Sequence, residues 1–451
     1  MEKGLAAFRA AIDAAPISKF QIRLVLLTVL VIISDGFDTQ AIGYVAPALA
    51  QTWHIKVALF GPVFSAGTLG LAIGSILFPT IADHIGTRRV LLFCTAFYAL
   101  LTLATVWVSS LEMLLVVRFL SGLGLGGAMP IGIALVSEYS PTRLRTTMLS
   151  SVVCGFALGG AIGGFVASAV IGPWGWQAVF VVGAVVPLVL LPVIARMLPE
   201  SLPRLMKSPP PHTALLAVTQ RIVPHWRPAN LDLQREAREK PKFSVRLLFA
   251  SGYAIPTIFI WLAFFSNLLL LYFLASWLPS MIHSSGMSMA VASLTTGFYQ
   301  FGGVFGGLIL AYTCDKLRAQ IVLAGTFAIA AVFVFLIGTS GNDAAMLAVS
   351  VAGAGFCVIG GQNAMNGFVG AFYPAAARAT GSGWAVGIGR IGSIVGPLLG
   401  GALIAQGYSG GSIFRLCAIP AVIAMLAILA VRRPNAMAAI EKMPIRSSVP
   451  Q

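Results

Sequence analysis

Asp35 and Asp38 lie three residues apart in the motif Ser34-Asp35-Gly36-Phe37-Asp38-Thr39, near the middle of an apolar stretch that runs from about residue 22 to residue 50. A carboxylate at the centre of a bilayer costs roughly 2.5–3.5 kcal/mol on insertion scales. A chain carries that cost twice only where the groups face a cavity or change protonation. At i and i+3 of a helix the two share one face. Like charges that close in a low dielectric cannot both stay comfortably ionised, so one of them is suited to take up a proton on one side and release it on the other. Gly36 removes a side chain and lets a partner helix or water come near. The plainer reading is a structural pair bonded to neighbouring helices.

Two cations sit inside other apolar segments. Arg390 is about eleven residues into the eleventh segment. Its guanidinium stays charged, and its planar fork suits a carboxylate bidentately. The partner is either a substrate carboxylate or the Asp35/Asp38 pair; a structural ion pair is the bland alternative. Arg118 is about six residues from the outer end of the fourth segment. Glu138 is about twenty residues further on, which excludes pairing within one helix. Arg118 is therefore read as a gating or conformational residue. Phe37, Tyr272, Trp277, Phe298, Tyr299 and Trp384 can wall an aromatic ligand, although each alone is more often a packed or interfacial ring. Gln300, Gln362, Asn363 and Asn366 can bond ring hydroxyls or satisfy one another across helices.

These residues are set in a chain of 451 residues that is 58% hydrophobic and only 10% charged. A soluble chain carries about 25% charge, so most of this surface faces lipid. Twelve apolar segments are long enough to cross about 30 Å of hydrocarbon. They fall near 22–50, 57–82, 89–109, 112–138, 146–171, 176–198, 254–282, 289–313, 319–340, 344–372, 379–406 and 412–431. Backbone hydrogen bonding in lipid makes each a helix. The net charge of +15 does not mark a nucleic-acid partner, because 25 of the 29 Lys and Arg fall in the N-terminus, the even-numbered connections and the C-terminus. That is the positive-inside distribution, and it puts both termini in the cytoplasm. Cys94, Cys154, Cys314, Cys357 and Cys417 have no ligand-like spacing and read as small packing residues, so no metal is expected. The first segment is too long and too acidic for a cleaved signal peptide. With no Gly-x-x-x-x-Gly-Lys-Ser/Thr loop, no nucleotide cofactor is expected.

Residues 199–249 form the one long connection, with Pro209-Pro210-Pro211 and a charge run from Arg235 to Lys242 that reads as a solvated face. The expected division is a first bundle over 1–198, this loop over 199–249 and a second bundle over 250–451. The halves repeat. Gly74, Asp83 and Pro47 recur as Gly306, Asp315 and Pro279 at an offset of 232, and Pro141 and Arg145 recur as Pro374 and Arg378 at 233. Asp35 maps onto Asn267. Two parallel six-helix halves with a site at their interface define one large transporter architecture.

The segment Ile81-Ala82-Asp83-His84-Ile85-Gly86-Thr87-Arg88-Arg89 resembles the loop signature between the second and third helices of the major facilitator superfamily. Pro79 replaces its leading Gly, His84 the Arg after Asp, and Thr87 the first basic residue. Arg118-Phe119-Leu120-Ser121-Gly122, the set Glu138, Pro141 and Arg145, and Pro199-Glu200-Ser201 resemble further marks of the same superfamily. The resemblance implies an all-α integral membrane fold of twelve helices in two homologous bundles. It also implies gating roles for Asp83, Arg88, Arg89, Arg118, Glu138, Arg145, Asp315 and Arg378.

Within that superfamily the chain is similar to the aromatic acid:proton symporter family. The likeness rests on Asp35-Gly36-Phe37-Asp38, on Asn267 to Phe273 followed by Trp277-Leu278-Pro279, and on Arg378-Ala379-Thr380-Gly381, Gly383-Trp384-Ala385 and Gly387 to Gly392. One departure is Ile131 after Met129-Pro130, where a polar Asn is expected. The family resemblance implies proton-coupled uptake of a benzoate-like or hydroxylated aromatic carboxylate through the inner membrane of a bacterium, with the proton gradient as energy source, no cofactor and a functional monomer. Proton or substrate contacts are expected from Asp35, Asp38, Arg390, Phe37, Asn267, Tyr272, Tyr299, Gln300 and Trp384. An exporting antiporter and an organic-acid symporter of another specificity are the rivals. The antiporter has one support in Gly155-x-x-x-Gly159-Gly160-x-x-Gly163-Gly164, where Gly160 stands in place of a Pro. A receptor that has lost transport is a rival of another class. No enzyme chemistry is needed.

Overall fold

The computed structural model describes residues 10–206, 213–223, 246–249, 252–341 and 343–432. The Pro209–Pro211 run, the Arg235–Lys242 charge run and both chain ends lie outside the described residues. Among the described residues, twelve helices are long and apolar enough to cross a membrane. In chain order they are α1 (Lys19–Trp53), α2 (Phe60–Ile85), α3 (Thr87–Ala104), α4 (Leu111–Tyr139), α5 (Arg145–Trp174), α6 (Gln177–Met197), α7 (Ala254–Ser284), α8 (Met289–Lys316), α9 (Ala319–Ile337), α10 (Ala344–Phe372), α11 (Ala375–Ala405) and α12 (Gly410–Ala430). Among the described residues between α6 and α7, three short helical segments occur, Leu202–Met206, Thr213–Ile222 and Arg246–Phe249.

Local chemistry fixes the helix ends. Ser18 and Gln21 form a reciprocal capping box at the start of α1: Ser18 Oγ accepts from the Gln21 N–H, and Gln21 Oε1 accepts from the Ser18 N–H at 2.9 Å. Asp343 Oδ1 accepts from the N–H groups of Ala345 and Met346, both at 3.0 Å, to open α10. The helices overrun several of the apolar segments, because hydropathy marks the part in hydrocarbon while polar turns continue the helix past it. The first and seventh apolar segments end near residues 50 and 282. The structure carries α1 on to Trp53 and α7 to Ser284 with Pro47 and Pro279 inside. A proline is tolerated there because neighbouring helices re-satisfy the freed carbonyl.

By contact the chain divides into two units, one of Met1–Lys240 with Ser276–Phe301 and the other of Pro241–Ala275 with Gly302–Gln451. The end of α7 and the beginning of α8 thus group with the first six helices. Each unit has its own apolar core: Ile32, Leu91, Leu135 and Val152 are fully buried in the first, and Ile260, Phe327, Met365 and Ala385 in the second.

The repeat is visible in how glycines join helix pairs. In the first unit a Cβ on Gly159 of α5 would fall on the Ile33 carbonyl of α1, and one on Gly74 of α2 on the Leu123 carbonyl of α4. In the second unit Gly392 of α11 meets the Phe265 carbonyl of α7 in the same way, and Gly306 of α8 meets the Phe356 carbonyl of α10. Both partners of each pair recur at the repeat offset. Glycine at these points lets helix backbones touch, which supplies close packing where burial against lipid gives no drive to associate.

Candidate functional site

In the first unit the two aspartates of α1 are both buried, Asp35 at 1% and Asp38 at 0% exposure. Their environments differ. Asp38 Oδ1 accepts from the Thr102 hydroxyl of α3 at 2.7 Å and lies 3.6 Å from Arg118 Nη1 of α4. Arg118 is itself buried, donates from Nη2 to Thr105 Oγ1 at 2.6 Å, and sits with its Cζ 5.0 Å from the Phe180 ring centroid of α6. The cation thus has a carboxylate, a hydroxyl and a ring face around it. Asp38 Oδ2 and Arg118 Nε find no hydrogen-bond partner among the described residues. Asp35 Oδ1 accepts from Thr39 Oγ1 one turn on, at 3.4 Å.

A buried ion pair is not in itself a device for stability. Desolvation of two charges takes back much of their attraction, and removing one partner strands the other. At Asp38 one carboxylate oxygen is held by a hydroxyl and an Arg, and the second oxygen is bare among the described residues. Tyr98 of α3 adds to this region: its hydroxyl is buried without a partner among the described residues and is within electrostatic reach of both aspartates.

Phe37, between the aspartates, turns into the bundle. A Cβ on Gly183 would lie 2.9 Å from its ring. The same side chain nears Gly163, so the ring fills the space between α1, α5 and α6. Trp277 is fully buried and meets Phe64 edge-on at 5.1 Å, and Phe298 meets Phe165 at 6.0 Å. Tyr299 is fully buried, as is Gln300 beside it.

The second unit holds Arg390 and Asn267. Arg390 Nη1 donates to the Tyr272 hydroxyl at 3.2 Å. Asn267 Nδ2 donates to Gln362 Oε1 at 2.9 Å and to the Val358 carbonyl at 3.2 Å, and Gln362 Nε2 donates to Asn366 Oδ1 at 3.3 Å. The polar position that the repeat matches to Asp35 therefore belongs to a neutral amide chain across α7 and α10. Trp384 is 42% exposed and stacks on Trp261 at 5.7 Å.

The gating residues separate into two groups. Arg88 donates its backbone N–H to Glu200 Oε1 at 3.1 Å and its Nη2 to the Ala195 carbonyl. Glu200 Oε1 also accepts from the Ser201 N–H at 3.0 Å, and Tyr139 donates its hydroxyl to the Glu200 carbonyl at 2.6 Å. Gly86, the cap of α3, has φ +109° and no side chain to accept from α3, and Glu200 supplies the missing anion to the Arg88 N–H, 112 residues before it. A Cβ at Gly86 would lie 2.6 Å from Glu200 Oε2, so glycine is required twice over. Glu138 Oε2 accepts from the Leu202 N–H at 2.8 Å, and Arg145 Nη2 donates to the Ser140 carbonyl at 3.4 Å. Asp83, Arg89, Asp315 and Arg378 are exposed. Asp83 makes no ion pair among the described residues.

Sequence reasoning left Thr102, Thr105, Tyr98, Gln40 and Glu200 out of the site. The hydroxyls and Gln40 are ordinary residues within apolar runs. Only neighbours brought in by other helices give them meaning. Glu200 had a signal, since Pro199-Glu200-Ser201 stands out as a motif.

A family model described as Major Facilitator Superfamily matches residues 28–392 and 260–449. The chain belongs to that superfamily of membrane transporters. The chain is 36% identical over 419 residues to a gallate transporter of Pseudomonas putida, covering 93% of each chain. It is 36% identical over 425 residues to the 4-hydroxybenzoate transporter PcaK of Pseudomonas aeruginosa, covering 93% of this chain and 94% of the relative. A benzoate transport protein of Acinetobacter baylyi is 29% identical over 424 residues. Among solved structures, a D-xylose–proton symporter superposes with a TM-score of 0.71 at 17% identity over 92% of this chain and 98% of that one, a likeness of fold. The chain is a multi-pass membrane transporter and not an enzyme.

Proposed function

We propose that the chain imports an aromatic monocarboxylate of the benzoate or hydroxybenzoate class together with protons, by alternating access. It works in the bacterial inner membrane as a monomer with both termini cytoplasmic, and it draws on the proton gradient with no cofactor. The substrate class is supported by the gallate, 4-hydroxybenzoate and benzoate transporters among its relatives.

Proton coupling is carried by one observation, the Asp38–Arg118 pair at 3.6 Å with Asp38 Oδ2 bare. Ionised Asp38 attracts Arg118 and, through Thr102, ties α1 to α3 and α4. A proton on Oδ2 cancels the charge and leaves Arg118 held by Thr105 and the Phe180 face alone. The equilibrium between two bundle arrangements then shifts by the lost attraction, the differential free energy that any such change requires. Asp35, on the same helix face, is the second carboxylate through which protons reach Asp38. In the second unit, Arg390 offers the fork that a carboxylate needs, with Tyr272 orienting it.

The test is uptake of radiolabelled aromatic acids by proteoliposomes with an imposed pH gradient, with lumenal pH followed in parallel. Accumulation with matching proton entry is expected. Accumulation that ignores the gradient overturns the coupling. Uptake of no aromatic acid overturns the substrate class. Gradient-driven efflux in vesicles of known orientation favours the exporting antiporter.

A further inference from the structure

Two glutamines converge on one glycine in the first unit. A Cβ on Gly160 of α5 would lie 2.9 Å from Gln300 Cδ of α8 and 3.1 Å from Gln40 Cγ of α1. Gln40 is 4% and Gln300 2% exposed. Neither Nε2 atom has a hydrogen-bond partner among the described residues. In the second unit Asn267, Gln362 and Asn366 do bond one another, with Asn267 Oδ1 alone left unmet among the described residues. Here two amides approach one bare glycine with their Nε2 atoms unmet among the described residues.

Leaving a buried amide unmet costs about 1–3 kcal/mol. Two such groups side by side are costly unless something fills their bonds for part of the working cycle. Next along α5, Gly164 brings its backbone against Gly297 of α8, with Gly297 Cα 2.7 Å from where its Cβ would be. That contact holds α8 close to α5 three residues before Gln300. Gly160, where an antiporter-like motif would have Pro, leaves room for both side chains.

We infer that Gln40 and Gln300, meeting at Gly160, form the subsite that binds a ring hydroxyl of the substrate and so favours hydroxylated aromatic acids over bare ones. The inference rests on the proposed aromatic-acid uptake. A hydroxyl needs one acceptor and one donor, and a carboxamide carries both on one planar group whichever way it is turned. A carboxylate is matched less well, because its full charge calls for a cation. A site built to bond a hydroxyl rejects the analogue without one, since its own polar groups are then left unmet.

The experiment compares competition by benzoate, 4-methylbenzoate, 4-hydroxybenzoate and 3,4-dihydroxybenzoate against labelled uptake in proteoliposomes. It uses the wild-type chain and the variants Gln40→Leu, Gln300→Leu and Gln300→Met. Wild type should prefer the hydroxylated acids over 4-methylbenzoate by about ten-fold or more, a preference that needs no variant to fold. Each variant should reduce the ratio of hydroxylated to bare affinity by about ten-fold, the worth of one buried hydrogen bond. Equal competition by 4-methylbenzoate and 4-hydroxybenzoate in wild type overturns the inference and leaves aromatic-acid uptake standing. So does an unchanged ratio in folded variants, including a parallel fall for every acid, which would make the amides part of a moving helix contact. Failure of all four acids to compete overturns both readings.

Discussion

Gln51 and His283 stand 232 positions apart, the same offset that relates the two halves, and their Nε2 atoms meet at 2.8 Å. His283 Nδ1 lies 2.9 Å from the Met287 carbonyl, which can only accept, so Nδ1 carries the proton and Nε2 accepts from the Gln51 amide. Equivalent residues near the ends of α1 and α7 are thus bonded to each other. Gln51→Leu and His283→Leu should each alter the turnover of uptake, and the double variant should be no worse than the poorer single one. A net hydrogen bond of about 1 kcal/mol corresponds to roughly a five-fold coupling in the cycle. Strictly additive effects on turnover would show that the bond does not take part in the transport cycle.

Asp38→Asn should abolish accumulation driven by a pH gradient. It should also lower the yield of folded protein, because Arg118 is left buried without its anion, a loss of about 3–5 kcal/mol. The double variant Asp38→Asn, Arg118→Gln should recover yield without recovering accumulation. Gradient-driven accumulation in either, measured in proteoliposomes, removes Asp38 from the proton path. Asp35→Asn should severely reduce accumulation as well, and exchange of substrate without a gradient should survive in at least one of the two single variants.

Arg390→Lys keeps the charge and loses the fork. Substrate affinity should fall by up to a few kcal/mol, with normal membrane levels. Tyr272→Phe removes the oxygen that Arg390 bonds and should cost less, about 1 kcal/mol. Wild-type affinity in both variants, read by competition, takes Arg390 out of the binding site.

Glu200→Ala should destabilise the protein by about 1 kcal/mol, because it strips the anion from the start of α3 and the bonds to the Arg88 and Ser201 N–H groups. Asp83→Asn, at an exposed position with no ion pair among the described residues, should leave substrate binding intact and slow transport. Thermal unfolding in detergent measures the first and single-turnover uptake the second. A collapse of binding in Asp83→Asn with a normal residual rate would refute a gating role.

Hydropathy and length alone determined twelve helices, because a continuous apolar segment of about 20 residues in lipid satisfies its backbone hydrogen bonds within itself only as a helix. The offset of Gly74 and Asp83 to Gly306 and Asp315 determined that the two halves correspond, and the paired glycine contacts follow that offset. The shared helix face of Asp35 and Asp38 was equally local, fixed by 3.6 residues per turn. The partners of those residues were not local. Asp38 meets Thr102 and Arg118 because α3 and α4 are packed beside α1 at that depth, and nothing in the periodicity of α1 selects Asp38 over Asp35. In the same way an amide in an apolar run looks alike in Gln300 and Gln362. Only packing between helices far apart in sequence decided that Gln362 bonds Asn267 while Gln300 and Gln40 both approach Gly160 with their Nε2 atoms unmet.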